Sequence, residues 1–397
     1  MDSGTDDVAA DLAALLDALD ADRFHNIGFP GATDFDYTAL FPLFNRLLNN
    51  VGDPFVDGAG AAHTKAMERE AIEALADLFR APPDDRWGYV TSGGTEANLY
   101  GLLLGRSRYP DALVYYSEAT HYSAGKNTEL LGLPTLIVRA GDNGEIDYAD
   151  LRWALAQHRH RPAIVHANVG TTMTEAIDDV GMIKRILRES AQQRHHVHVD
   201  AALAGLPLAL TEPEPAFDLA AGADSLSVSG HKFIGSPVPY GVVLTRRSLA
   251  DRLARRVSYT ATPDSTIGGS RSGHGPLLLW YALRRYGRHG LAQRAVRSRE
   301  LAAYTVRRLT DVGWEAWRNP LAFTVVLRTP PPAVTARWTL ARGDDGWSHI
   351  VCVPGVTRRQ IDAFVDDLAA AVPARAQVSI GRHASDRVRQ PVATAAW

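Results

Sequence analysis

The sequence predicts an α/β fold, a large domain on a mainly parallel sheet followed by a smaller α+β domain. Two observations carry this. From about residue 88 to 245, short apolar stretches (WGYVTSG, ALVYYSE, PTLIVRA, AIVHANVG, HVHVDAA, SLSVSG, YGVVLTR) alternate with helical ones such as TEANLYGLLLGRSRY, DYADLRWALAQHR and DDVGMIKRILRESAQQR. Alternation of this kind builds a buried parallel sheet flanked by helices. Beyond residue 285 the pattern changes to long helices and then to FTVVLRTPPP, WSHIVCVPGV and RRQIDAFVDDLAAAV, two strands and a closing helix.

In chain order, Leu12, Leu15, Leu16 and Leu19 recur at helical spacing in an acidic N-terminal segment, unlike a secretory or transit peptide. NIGFPGATDFDY and NNVGDPFVDGAGAAH are Gly-rich loops, and TKAMEREAIEALADLFRAP reads as a helix ending at Pro82 and Pro83. The expected limits are 1–50 for the helical N-terminal segment, 51–285 for the large domain and 286–397 for the small one. Pro330, Pro331 and Pro332 read as a stiff spacer, and the tail after about residue 380 as poorly ordered.

Composition bounds the function. The 397 residues are 46% hydrophobic and 22% charged, with a net charge of −3, which offers no electrostatic footprint for nucleic acid or an anionic membrane surface. No apolar run reaches membrane-spanning length. Cys352 is the only cysteine; it reads as a buried strand residue and fits a reducing, cytoplasmic compartment. Function is expected in a pocket.

Three stretches carry chemistry. In VTSGGTEANLYGL a strand runs through Ser92, Gly93, Gly94 and Thr95 into a helix, so backbone N–H groups and the positive helix end can face a phosphate; the same pattern also makes plain strand-to-helix turns. In HVHVDAALAG, Asp200 closes an apolar strand, where it serves either a cation or a helix cap. In SVSGHKFIGSP, Lys232 follows a strand end among small and apolar residues, one strand–helix–strand step beyond Asp200. Such a lysine either snorkels to water or is chemically employed. Together the three supply what pyridoxal 5'-phosphate needs: an anion cradle, a carboxylate for the pyridine nitrogen and a lysine for the aldehyde.

TSGGTEAN, THYS, HVDAALAG and SVSGHKFIGSP together resemble the group II pyridoxal-phosphate amino acid decarboxylases, among them the bacterial histidine and plant serine decarboxylases. The likeness runs through NIGFPGATDFDY, NNVGDPF, NVGTTMTEAIDD, TIGGSRSGHGPLLLW and VCVPGVT, over roughly residues 25–370. It implies the aspartate aminotransferase-like fold (fold type I) and a homodimer with the active site at the interface. It implies that His121 stacks on the pyridine ring, Asp200 meets the ring nitrogen and Lys232 holds the aldehyde carbon. Ser92, Gly93, Gly94, Thr95, Ser229 and His231 then match the phosphate neighbourhood, and Thr172 and Ala202 flank the ring. Tyr259 and the GGSRSGH loop become candidates to reach a partner's site, Tyr259 as proton donor with His121 as the alternative.

GGTE and GSPVP favour histidine as substrate, GDPF favours serine, and valine or leucine, another pyridoxal-phosphate lyase or aminotransferase, or a vestigial cofactor-binding protein are the remaining readings. Ala97 and Thr174-Glu175 depart from the family pattern. His63 either contacts substrate or caps the next helix. His195, His196 and His198 alternate in direction without the ligand set of a metal site, so no metal is expected and a solvated strand entrance is.

Overall fold

The computed structural model describes residues 4–58, 60–213 and 215–371, so the expectation for the tail lies outside the described residues. Contacts divide the chain into a larger unit, Pro30–Ser298 with Val353–Gly355, and a smaller one, the chain up to Phe29 with Arg299–Cys352 and the segment from Val356 on.

All seven expected strands of the larger unit form one sheet: β1 (Trp87–Thr91), β2 (Leu113–Ser117), β3 (Thr135–Val138), β4 (Ala163–Asn168), β5 (His195–Asp200), β6 (Ser225–Ser229) and β7 (Gly241–Thr245). Their order is β1-β7-β6-β5-β4-β2-β3. β7 is antiparallel to both neighbours and the remaining pairs are parallel. Hence β1 runs with β6, and six carboxyl ends share one edge, where open α/β sheets bind ligands.

The central strands are buried along their length, as strands covered on both faces must be. The helix Gly94–Arg108 lies close on one face. A Cβ at Gly101 would fall 2.1 Å from His198 Nδ1, so only glycine allows this approach. His196 and His198 are therefore wholly buried, which corrects the expected solvated entrance: this helix covers them, and Ser225 and Asn98 meet their ring nitrogens. A hairpin, β8 (Arg255–Val257) and β9 (Thr262–Asp264), follows the sheet. The helical stretch His274–Asp311 is broken at Gly287, whose φ of 59° and ψ of 177° are not helical.

The smaller unit holds β10 (Ala316–Trp317), β11 (Thr324–Arg328), β12 (Ala341–Arg342) and β13 (Trp347–Val351) in the antiparallel order β10-β11-β13-β12. Cys352 is fully buried just after β13. The proline run is not a spacer: it opens a short helix, Pro332–Thr335, because proline at the first helical position forfeits no hydrogen bond. The N-terminal helix Gly4–His25 leaves Leu12, Leu15, Leu16 and Leu19 between 54% and 63% exposed.

Candidate active site

Asp200 closes β5, and only 11% of its side-chain surface is accessible. A carboxylate in that position needs donors, and the fold provides them: Ala202 N–H donates to Oδ1 at 3.0 Å and Asn98 Nδ2 to Oδ2 at 2.6 Å. His166, buried on the adjacent β4, brings Nε2 to 3.9 Å from Oδ2. Burial alone would push the Asp200 carboxyl up. The His166 imidazole, the Lys232 ammonium and the Ala202 N–H outweigh it and hold the group well below the usual carboxylate range.

Lys232 stands three residues beyond β6, in a turn His231–Gly235 wound as a single π-helical turn in which Gly235 N–H reaches the Gly230 carbonyl at 3.1 Å. Turns of this type recur at functional sites. Burial lowers the affinity of the Lys232 amine for its proton, and Asp200 across the site opposes this. A lysine that gives up its proton more readily is the better nucleophile.

His121, ahead of the helix Ser123–Leu130, is also within electrostatic reach: burial first, then Lys232, hold its imidazole below the ordinary histidine range, with Asp200 opposing. Its Nδ1 meets Ser123 Oγ at 2.8 Å and the Ser123 N–H at 3.4 Å. That N–H can only donate, so Nδ1 accepts and the ring proton sits on Nε2.

At the anion end, a Cβ built on Gly94 would fall 2.5 Å from Ser229 Oγ and 3.7 Å from Ala202 Cβ, so Gly94, Ala202 and Ser229 meet. One on Gly93 would meet nothing within 4 Å, and the N-terminus of the helix Gly94–Arg108 thus opens on free space, with Thr95 exposed beside it. Ser92 is turned aside: its N–H and hydroxyl both donate to Glu96 Oε2, at 2.8 and 2.6 Å. A serine followed four residues later by glutamate was the available signal for that pairing. His231 Nδ1 donates to the Tyr240 carbonyl at 3.0 Å, leaving Nε2 as the ring's acceptor.

The remaining candidates lie in loops. Thr172 is exposed in the loop after β4, where the buried Thr171 makes the packing contacts. Tyr259 is 87% exposed in the turn Ser258–Thr260. His63 lies in the loop before the helix Lys65–Leu78, its Nδ1 accepting from Lys65 N–H at 3.4 Å. In GGSRSGH, Arg271 points inward onto Glu68 at 2.6 Å, with both side chains nearly inaccessible. Beside it Ser92, Glu96, Tyr240, Arg271 and His274 line a cavity of about 380 Å³. Among the described residues no cluster of His, Cys, Asp and Glu could hold a metal ion.

A second buried lysine, Lys65, donates to the Val56 carbonyl at 2.8 Å. Nothing in the sequence pattern singled out Asn98, which reaches Asp200 from the helix Gly94–Arg108, or His166 and Ser227 on the neighbouring strands, nor Asp34 and Arg294, which hold the turn of Lys232.

These residues fit pyridoxal 5'-phosphate: a buried lysine, a buried anionic carboxylate held by Ala202 N–H and Asn98, and a helix N-terminus opening on free space beside small residues. Such a site on a mainly parallel sheet defines a pyridoxal-phosphate enzyme of fold type I.

The chain belongs to the pyridoxal-dependent decarboxylases, whose conserved-domain model matches residues 6–315. It is 44% identical over 343 residues to a histidine decarboxylase of Mesorhizobium japonicum, covering 86% of this chain and 92% of the relative. It is 40% identical over 350 residues to that of Morganella morganii, covering 88% and 93%. Among solved structures, L-methionine decarboxylase from Streptomyces sp. 590 superposes with a TM-score of 0.83 at 28% identity, covering 92% of this chain and 95% of that one. Pyridoxal phosphate is the cofactor and an amino acid the substrate.

Proposed function

We propose that this decarboxylase acts on L-histidine, releasing histamine and CO2. The observation that carries this reading is the 44% identity to a histidine decarboxylase along 92% of that protein's length. In GDPF, Asp53 is buried and accepts from Trp87 Nε1 at 3.1 Å, Phe55 N–H at 2.7 Å and Arg247 Nη1 at 3.4 Å, a structural role.

Pyridoxal phosphate, when bound, supplies an electron sink for the pair released from the Cα–carboxylate bond. The residues divide the remaining tasks. Lys232 would hold the cofactor at its aldehyde carbon. Asp200, held anionic, would meet the ring nitrogen and favour its protonated form, because an adjacent opposite charge does so. His121 would lie against the ring face. Gly93, Gly94, Thr95, Ser229 and His231 would surround the phosphate, with Ser92 shaping the turn through Glu96, and Thr172 and Ala202 would flank the ring. Tyr259 supplies the proton to Cα from the loop of a second copy.

A homodimer is supported by apolar surface that one chain leaves uncovered: the leucines of Gly4–His25, with Phe41 at 61% and Leu47 at 82% exposure. No helix among the described residues is long and apolar enough to cross a membrane, and we place the enzyme in the cytoplasm.

The test is CO2 release and amine formation by the purified, cofactor-loaded enzyme with L-histidine, L-serine, L-methionine, L-valine and L-leucine in parallel. L-Histidine is expected to give the highest kcat/KM. A higher value for another amino acid overturns the substrate, and no release from any amino acid overturns the activity.

A further inference from the structure

Behind Asp200 the sheet interior holds a chain of polar side chains that a packed core would ordinarily exclude. His196, His198, Ser225 and Ser227 are fully buried and Asn98 is 2% exposed. His196 Nε2 lies 3.1 Å from Ser225 Oγ, Ser225 Oγ 2.8 Å from His198 Nδ1, His198 Nε2 2.9 Å from Asn98 Oδ1, and Asn98 Nδ2 2.6 Å from Asp200 Oδ2. Ser227 Oγ donates to the same Asn98 oxygen at 2.5 Å.

The valences of these groups leave one arrangement. A carboxylate accepts only, so Asn98 turns its amide nitrogen to Asp200 and its oxygen away. That oxygen accepts only, so both Ser227 and His198 Nε2 donate to it. A neutral His198 with its proton on Nε2 accepts at Nδ1, so Ser225 spends its single proton there. Ser225 then accepts from His196, which carries its proton on Nε2. Every bond of the chain points the same way, toward Asp200.

We infer that Asn98 and His198 are positioning residues for Asp200: a one-way hydrogen-bond chain from the sheet interior fixes the carboxylate's plane and keeps it an acceptor before the cofactor arrives. This rests on the reading that Asp200 meets the cofactor's ring nitrogen. A hydrogen bond to a charged group is among the stronger ones, and a buried polar chain left half-satisfied is worse than none. Interrupting the chain frees Asp200 to turn and makes its oxygen more basic, so the proton shared with the ring nitrogen moves toward the carboxylate.

The test uses protein carrying pyridoxal 5'-phosphate labelled with nitrogen-15 in the ring, without substrate. His198→Phe keeps ring volume and removes the donor. His198→Gln restores an N–H at the distance of Nε2, and Asn98→Leu removes the bridge itself. The ring-nitrogen chemical shift and the Kd of the apoprotein for the cofactor are measured beside apoprotein melting. Wild type and His198→Gln are expected to show a protonated ring nitrogen, while His198→Phe and Asn98→Leu shift the signal toward the unprotonated value and weaken cofactor binding about tenfold. A folded His198→Phe with the wild-type shift and Kd overturns the inference. If His198→Phe does not fold, Asn98→Leu against His198→Gln decides in the same way. Asp200→Asn separates the two readings: if it too leaves the shift unchanged, the placement of Asp200 at the ring nitrogen has failed, and if it alone moves the signal, the chain behind it has.

Discussion

The backbone N–H of Ala32 donates to the carbonyl oxygen of Lys232 at 2.8 Å, so a loop some two hundred positions earlier in the chain holds the lysine's turn by its main chain. Two further donors act on the same turn. Tyr37 Oη donates to the Gly235 carbonyl at 2.8 Å and Arg294 Nη2 to that of Ile234 at 3.2 Å, while Arg294 grips Asp34 through two bonds of 2.7 Å. The direction of Lys232 is thereby set through the backbone, which leaves its amine available for chemistry.

Arg294→Met tests that clamp. Removing a buried guanidinium strands the Ile234 carbonyl and Asp34, but the Asp34 side chain is 39% exposed and partly solvated. The expected destabilisation is about 1–3 kcal/mol, below the value for a fully buried pair. Urea unfolding reads the first effect, and the rate at which visible absorbance develops when cofactor is added to apoprotein reads the second, a slower approach. If both match wild type, the clamp has no role.

Gly94→Ala places a methyl group 2.5 Å from Ser229 Oγ, a separation that real Cβ atoms do not tolerate. We expect cofactor affinity to fall about tenfold or more with the fold retained, since the clash is with one short side chain. Ser229→Ala in the same protein should recover part of the loss, because it removes the clashing atom. Equal losses in the single and double variants, measured by cofactor titration, would place the damage elsewhere.

The pH dependence of stability follows from the buried imidazoles. Burial, and then the neighbouring His166, hold His198 well below the ordinary histidine value of 6.5. Below that value the unfolded chain binds a proton that the native state refuses, so stability rises with pH in this window, falls on acidification and is indifferent above it. His198→Gln removes one such group. The slope of apoprotein unfolding free energy between about pH 5 and 6.5 should flatten by up to about 1.4 kcal/mol per pH unit. Superposable slopes would mean that His198 titrates in the native state as it does in the unfolded chain.

Tyr259→Phe keeps the ring and loses the phenol proton. If Tyr259 serves the site of a second copy, CO2 release should persist while amine forms slowly and part of the product appears as aldehyde and ammonia through oxygen. The comparison is amine against aldehyde at equal CO2 release. An unchanged ratio and rate moves the donor role to His121 Nε2 or to water.

Much of this was legible in the sequence. Asp200 and Lys232 stood out because a charged residue closing an apolar strand has few structural reasons to be there, and the alternation of strand and helix placed both at one sheet edge. Asn98 was not legible: inside a regular helix its amide looks like an ordinary polar residue, and only the register of that helix over β5 gives it a carboxylate to hold. His198 was misread for the same reason, since strand alternation gives the face a side chain points to but not whether a helix covers that face. Asp34 and Arg294 are 260 positions apart, beyond the reach of any local pattern. Ser92 has its N–H and hydroxyl on Glu96 four positions on, a pairing the phosphate motif did not bring out.

The central claim is that Lys232 carries the cofactor, and borohydride reduction of the loaded enzyme followed by peptide mapping tests it directly. The lysines of the chain are Lys65, Lys126, Lys184 and Lys232, and Lys65 is the stringent control because it too is buried, with its amine spent on the Val56 carbonyl. A pyridoxyl label on Lys232 alone, with visible absorbance lost in Lys232→Ala, is the result expected. A label on Lys65, or on any lysine other than Lys232, contradicts the account.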